Sequence, residues 1–176
     1  MEVEHKTNFK PPRQSEKIRR RQKRVTRDAG EKQNKDVVRS RDNKHRGGCS
    51  MPLCGCRKFR LAKHVAHLEH KGMGGNPKED RSLPELMIQV CSARHREHRI
   101  AIDRGTLQCR PRTTAGTNGP VEWWVSYEDL ANPNVEEPKG TVDGWWMLAR
   151  EITPGVFEPF TNEQREALEF LADMEF

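Results

Sequence analysis

The sequence predicts an α+β protein: a small zinc-stapled module set between a disordered basic arm and a C-terminal αβ extension. Three observations carry this. First, the chain has five cysteines, an odd number, and no secretory features. Metal binding is therefore expected over disulfides. Second, the charge is segregated. Residues 1–46 hold 16 Lys+Arg against 7 Asp+Glu, a net +9. Residues 47–112 hold 13 against 6, a net +7, and residues 113–176 hold 3 against 13, a net −10. Third, 33% of the 176 residues are hydrophobic and 33% are charged. That balance is too polar for one core along the whole length, so a compact middle with a disordered end is expected. The expected segments are 1–46, 47–112 and 113–176.

The basic front and middle suit a polyanion, most simply nucleic acid. No apolar run approaches the roughly 20 residues of a membrane span. The N-terminus lacks an apolar signal core, so a cytoplasmic location is expected.

Residues 1–46 contain Lys17-Ile-Arg-Arg-Arg-Gln-Lys-Arg24 and scarcely any large apolar side chain. They read as a disordered arm that becomes helical on phosphate, with a solvated helix outside the core as the alternative. In the middle segment, Leu61 to Leu68 reads as a strand. Leu61, Lys63, Val65 and His67 face one way, and Ala62, His64, Ala66 and Leu68 the other. Gly72, Gly74, Gly75, Asn76 and Pro77 form a loop. Ser82-Leu-Pro-Glu85 has the capping-box pattern, so a helix is expected from about Leu83 to Arg99. Its apolar stripe of Leu86, Met87 and Val90 would pass into Cys91, His95 and His98.

After a linker from Thr113 to Pro120 come two aromatic segments, Val121 to Val125 and Asp143 to Met147, each with a Trp-Trp step. Both read as strands, with the tryptophans as packing residues rather than a ligand-stacking site. Thr161 and Gln164 cap a final amphipathic helix with Ala167, Leu168, Leu171 and Met174 on one stripe. This acidic end could also serve a protein partner.

Structural zinc needs about four thiolate or imidazole ligands. Cys49 and Cys54 form a knuckle-like pair, and Cys91 could close on the same ion. Cys56 is the expected fourth ligand by proximity, with His95 or His98 as alternatives. Cys109 stands apart and reads as structural. Phosphodiester cleavage needs a base and a divalent metal, and histidine suits the base role. His67, ahead of the glycine turn, is expected to come close to His95.

This order of residues resembles the HNH endonuclease family, especially the small zinc-stapled versions common in phages and mobile elements. Cys49-Ser-Met-Pro-Leu-Cys54 is similar to the family's first cysteine pair. His67, with Lys71-Gly72-Met73-Gly74-Gly75 beyond it, is similar to its strand end and loop. Val90-Cys91-Ser-Ala-Arg94-His95 is similar to its metal-binding helix. The resemblance spans residues 47–104, about a third of the chain. It implies a ββα-metal fold and a metal-dependent endonuclease that cleaves DNA in a bacterial or phage-infected cell. It gives His67 the general-base position and His95 a ligand position for Mg²⁺ or another divalent ion, beside structural Zn²⁺. Where the family has a metal ligand before the base, this chain has Ala66, so His64 or His70 is the expected substitute. Where the family has a second helix cysteine, this chain has Arg94, and Cys56 is the replacement thiolate. Arg94, Arg96, Arg99, Lys71 and the basic arm are expected to hold phosphates. The alternative is a zinc-stapled nucleic-acid-binding module that does not cleave.

Overall fold

The computed structural model describes residues 16–57, 61–68, 82–97, 99–130 and 140–173. The fold is α+β. A long helix α1 (Glu16–His45) leads into a two-stranded sheet of β1 (Lys63–His67) and β2 (Met87–Cys91). A four-stranded sheet follows in the order β3 (Leu107–Pro111), β4 (Val121–Ser126), β5 (Trp145–Thr153) and β6 (Val156–Phe157). A short helix α2 (Tyr127–Leu130) follows β4, and α3 (Asn162–Asp173) ends the described chain. All described strand pairs are antiparallel.

Helix α1 replaces the disordered arm expected over 1–46, as far as residues 16–45 are concerned. Arg, Lys, Gln and Glu are good helix formers, and Gly30 is the chain's only helix breaker there. Glu16 in the first turn and Lys44 and His45 in the last complement the helix dipole. The helix stops at Gly47 and Gly48, whose φ values of 67° and 93° favour glycine. Its last turns are not solvated. Val38 is buried against Val65 and Met87, and Asp42 is wholly buried. The Arg46 guanidinium bonds Asp42 and, through two nitrogens, Glu151 on β5 at 2.8 and 2.9 Å. Burial opposes its charge, but the Glu151 and Asp42 carboxylates hold the Arg46 pKa above its ordinary value. This network joins the end of the expected arm to the expected C-terminal extension.

The helix expected over Leu83–Arg99 is a strand for its central part. Only one 3₁₀ turn, Pro84–Leu86, keeps a helical start, and Leu83 caps it without a side-chain bond. All five residues of β2 are buried, between α1 on one side and the main core on the other. A strand buried on both faces loses its alternation, and its apolar positions then imitate a helical stripe. β-Branched Ile88 and Val90 favour the pleat. The register pairs Lys63 with Cys91, His64 with Val90 and His67 with Met87.

The main core is continuous from the cysteine loop to α3. It gathers Met51, Ile88, Val90, Ile100, Leu107, Trp123, Trp146, Leu148, Leu168 and Leu171. In β4, Val121, Trp123 and Val125 point inward and alternate with Glu122, Trp124 and Ser126. One tryptophan of each pair, Trp123 and Trp146, is core. The other two, Trp124 and Trp145, flank the Arg110 guanidinium at 4.5 and 5.5 Å on the outer face. The capping box at α3 forms as expected: Gln164 N donates to Thr161 Oγ1 at 3.2 Å, and Thr161 N to Gln164 Oε1 at 3.0 Å. Leu168 and Leu171 of its stripe are buried, while Met174 lies outside the described residues.

Candidate metal centre

The cysteine loop is short and tightly turned. After Gly47-Gly48, Ser50 N bonds the Gln89 carbonyl at 2.9 Å, which hangs the loop on β2. Leu53 takes a left-handed φ of 49°, and a 3₁₀ turn at Gly55–Arg57 follows. These turns carry Cys49, Cys54 and Cys56 to Cys91, the last residue of β2. The four Sγ atoms lie within 4.8 Å of one another, with Cys54 and Cys91 3.7 Å apart. A tetrahedral zinc with Zn–S bonds near 2.3 Å separates its sulfurs by about 3.8 Å. The donor set therefore fits a structural Cys₄ site, and Cys56, not a histidine, is the fourth member of the cluster.

The electrostatics of the cluster favour charge on two of the thiols. The bond from Cys54 lowers the Cys49 pKa, and bonds from Cys49, Cys54 and Cys91 lower that of Cys56. The Cys49 bond raises Cys54 and Cys91 in turn. Lys63 Nζ lies 2.8 Å from Cys56 Sγ, a cation set against a sulfur-rich anionic site. A cavity of about 240 Å³, lined by residues including Arg46, Cys49, Ser50, Cys54 and Phe157, adjoins the cluster. Cys109 is buried outside the cluster, and burial raises its thiol pKa.

A second constellation lies on the same hairpin. β2 runs into a wide π-helical turn, Ala93–Glu97, which brings His95 against His64 of β1. Their Nδ1 atoms are 3.2 Å apart, with the rings nearly perpendicular at 86°. On its other side, His95 Nε2 is 3.4 Å from Asp103 Oδ1. The Asp103 and Ile102 amides bond the His95 and Arg94 carbonyls at 2.9 Å and hold that loop in place. A carboxylate at Nε2 favours the tautomer that leaves the Nδ1 lone pair facing His64. Two imidazole nitrogens 3.2 Å apart subtend about 100° at an ion with 2.1 Å bonds, a normal ligand angle. Burial lowers the His95 pKa, with Asp103 opposing and His64 reinforcing the shift, so the neutral, ligating form is favoured.

The imidazole that meets His95 is thus His64. His67 lies three residues further along β1, about 10 Å at strand rise, and its Nε2 faces Glu31 Oε1 of α1 at 3.8 Å. Glu31 in turn bonds Lys35 at 2.8 Å. Ala66, at the position where the resemblance asks for a ligand, is fully buried in the core. Arg94 is not on a phosphate-facing surface. It is 2% exposed, and its guanidinium donates to the Ile100 and Leu171 carbonyls. An arginine inside a short turn is drawn in because the turn and α3 leave carbonyls that need donors. Arg96 and Arg99 are exposed, and Arg99 is 3.4 Å from Asp129. His70, Lys71, Gly72 to Gly75 and His98 lie outside the described residues. Sequence reasoning did not single out Glu31, Lys63 or Asp103. Only Lys63, next to His64 on a strand facing the cysteines, carried a usable signal.

No family model, no curated protein and no solved structure matches this chain. No helix among the described residues is long and apolar enough to cross a membrane.

Proposed function

We propose that the protein is a metal-dependent endonuclease of the HNH type, acting on DNA, with a zinc-stapled hairpin as its scaffold. The observation that carries the reading is the His64–His95 pair, 3.2 Å apart and backed by Asp103, on the hairpin that the four cysteines hold. In this reading the cysteines take Zn²⁺ and have a structural role. His64 and His95 take a second divalent ion, which would supply Lewis-acid stabilisation of charge developing on the phosphate. Two imidazoles suit Ni²⁺ or Zn²⁺ better than Mg²⁺ or Mn²⁺, which favour oxygen ligands. His67 is the candidate general base. Its Nε2 faces Glu31, which would steady an imidazolium there, and its Nδ1 would have to receive the proton through water, because His67 stands about 10 Å along β1 from His64. Arg96, Arg99 and the basic helix would hold flanking phosphates.

The test is cleavage of supercoiled and linear DNA by the whole protein in Mn²⁺, Ni²⁺ or Mg²⁺. His67→Ala is expected to abolish cutting while leaving the affinity for Mn²⁺ in place. His64→Ala is expected to lose both. Cutting that survives His67→Ala would remove the assignment.

A specific observation favours a second reading. Ala66 offers no ligand, and His67 does not touch the His64–His95 pair. A zinc-stapled module that binds nucleic acid without cleaving it accommodates both facts. It expects salt-sensitive DNA binding and no cleavage in any of these ions. Cutting that is lost in His67→Ala would exclude it.

A further inference from the structure

The first half of α1 stands outside the core. Every described side chain from 16 to 30 is exposed. This stretch carries seven Lys+Arg against two acidic residues. A helix this polar on all sides is not held by a core, and a stretch of about 15 residues is marginal alone in water. A partner for this stretch would be recognised by charge.

The positions of those charges are ordered. The second half of α1 docks through Glu31, Asn34, Val38 and Asp42. Glu31 faces His67, and Asn34 Nδ2 donates to the Ser82 carbonyl at 2.9 Å. Val38 packs on Val65 and Met87, and Asp42 accepts the Gln89 amide at 2.7 Å. The spacing of 3, 4 and 4 is one helix face. Continued upstream by 4, 3 and 4, the same face presents Arg27, Arg24 and Arg20. The face that grips the hairpin therefore runs on past it as a row of arginines. By helix rise, Arg20 lies about 16 Å beyond Glu31, and the row itself is about 10 Å long. Arg20 and Arg24 touch Glu16 and Asp28, but as solvated i,i+4 pairs that a polyanion can displace.

We propose that Arg20, Arg24 and Arg27 form a clamp for the phosphate backbone of a nucleic-acid duplex. The clamp lies on the hairpin side of α1 and leads to the His67 end of β1. This rests on the nucleic-acid reading above and names the form of the partner and the element that holds it. A straight row of guanidinium groups along one helix face suits the regular phosphate line of a duplex. A single strand would first have to be ordered along it, at a cost in entropy. The contacts are to phosphate, so they set register and orientation and carry no base sequence.

The experiment is fluorescence anisotropy of the full chain with a labelled 20-base-pair DNA duplex and the matching single strand. It is run over a range of salt, with no divalent ion added, so that cleavage plays no part. The face variant is Arg20→Gln/Arg24→Gln/Arg27→Gln. The control, Arg19→Gln/Lys32→Gln/Arg39→Gln, removes the same charge from exposed positions on other faces of α1. Far-UV circular dichroism checks that both keep the wild-type fold. Each phosphate that the protein no longer neutralises lowers the salt slope of log K by about 0.9. The face variant is therefore expected to lose between 2 and 3 from the slope, roughly, and the control less than 1. The duplex is expected to bind more tightly than the single strand. Equal losses in the two variants would overturn the clamp, as would a single strand that binds as well as the duplex. Wild-type protein that binds neither would sink the nucleic-acid reading itself. Duplex binding through this face without any cleavage in Mn²⁺, Ni²⁺ or Mg²⁺ would leave the clamp standing and remove only the nuclease.

Discussion

Replacing Arg46 with methionine is expected to destabilise the fold more than any change on the exposed helix. The Arg46 side chain is 1% exposed, and those of Asp42 and Glu151 are fully buried. Its guanidinium also donates to the Thr117 and Gly119 carbonyls at 3.1 and 2.9 Å. Methionine fills much of the volume but leaves the carboxylates without this cation. Asp42 would keep Arg41 at 2.7 Å. Among the described residues, Glu151 would keep only the Val121 and Gly155 amides, each at 3.0 Å. Breaking a buried ion pair from one side costs about 3–5 kcal/mol. With Asp42 still partnered, the loss centres on Glu151, and we expect about 4 kcal/mol. At roughly 2–4 °C per kcal/mol for a chain of this size, Tm falls by about 8–16 °C. That is a large share of the stability of a typical domain. Adding Glu151→Gln should restore part of the loss, because no uncompensated charge then remains. The assay is urea unfolding at fixed zinc concentration, followed by circular dichroism and tryptophan fluorescence. A loss below about 1 kcal/mol for Arg46→Met, or strict additivity in the double variant, would refute the reasoning.

Three further outcomes follow from the same geometry. Thr161→Ala removes the side-chain half of the α3 capping box and should cost about 1 kcal/mol in unfolding free energy, while Thr161→Ser should cost little. Cys109 gives a pH dependence. Its folded-state pKa is raised by burial, so its contribution is complete below the ordinary thiol pKa and is lost as pH rises above it. The alkaline limb of the stability curve should steepen by up to about 1.4 kcal/mol per pH unit, and Cys109→Ala should flatten it. Asp103→Asn should weaken Mn²⁺ binding by about 10- to 100-fold, as loss of a carboxylate behind a ligating imidazole does, with little change in Tm. Unchanged Mn²⁺ affinity would disconnect Asp103 from the pair.

The cysteine cluster was legible because its spacing is local. Three of its members sit within eight residues, and one strand end supplies the fourth. Strand β1, the strands around Val121 and Trp145, and the Thr161–Gln164 cap were legible for the same reason, since alternation and capping act over a few residues. Strand β2 was not. Its burial on both faces erased the alternation that separates strand from helix, and Ser82 to Glu85 imitated a helix start. Helix α1 was misread because composition reports only the average. Its charged first half hid the buried positions Val38, Asp42 and Arg46, whose partners lie up to 105 residues away. The choice of His64 over His67 as the partner of His95 depends on the β1–β2 register and on the turn after Cys91. Neither is encoded within a short window.

The central structural claim is that Cys49, Cys54, Cys56 and Cys91 hold one zinc ion and so fix the hairpin that carries His64 and His95. Zinc content together with X-ray absorption at the zinc edge tests it most directly. One zinc per chain with four sulfur neighbours at about 2.3 Å is the expected result. A shell containing nitrogen or oxygen in place of one sulfur, or protein that folds fully without zinc, would contradict it.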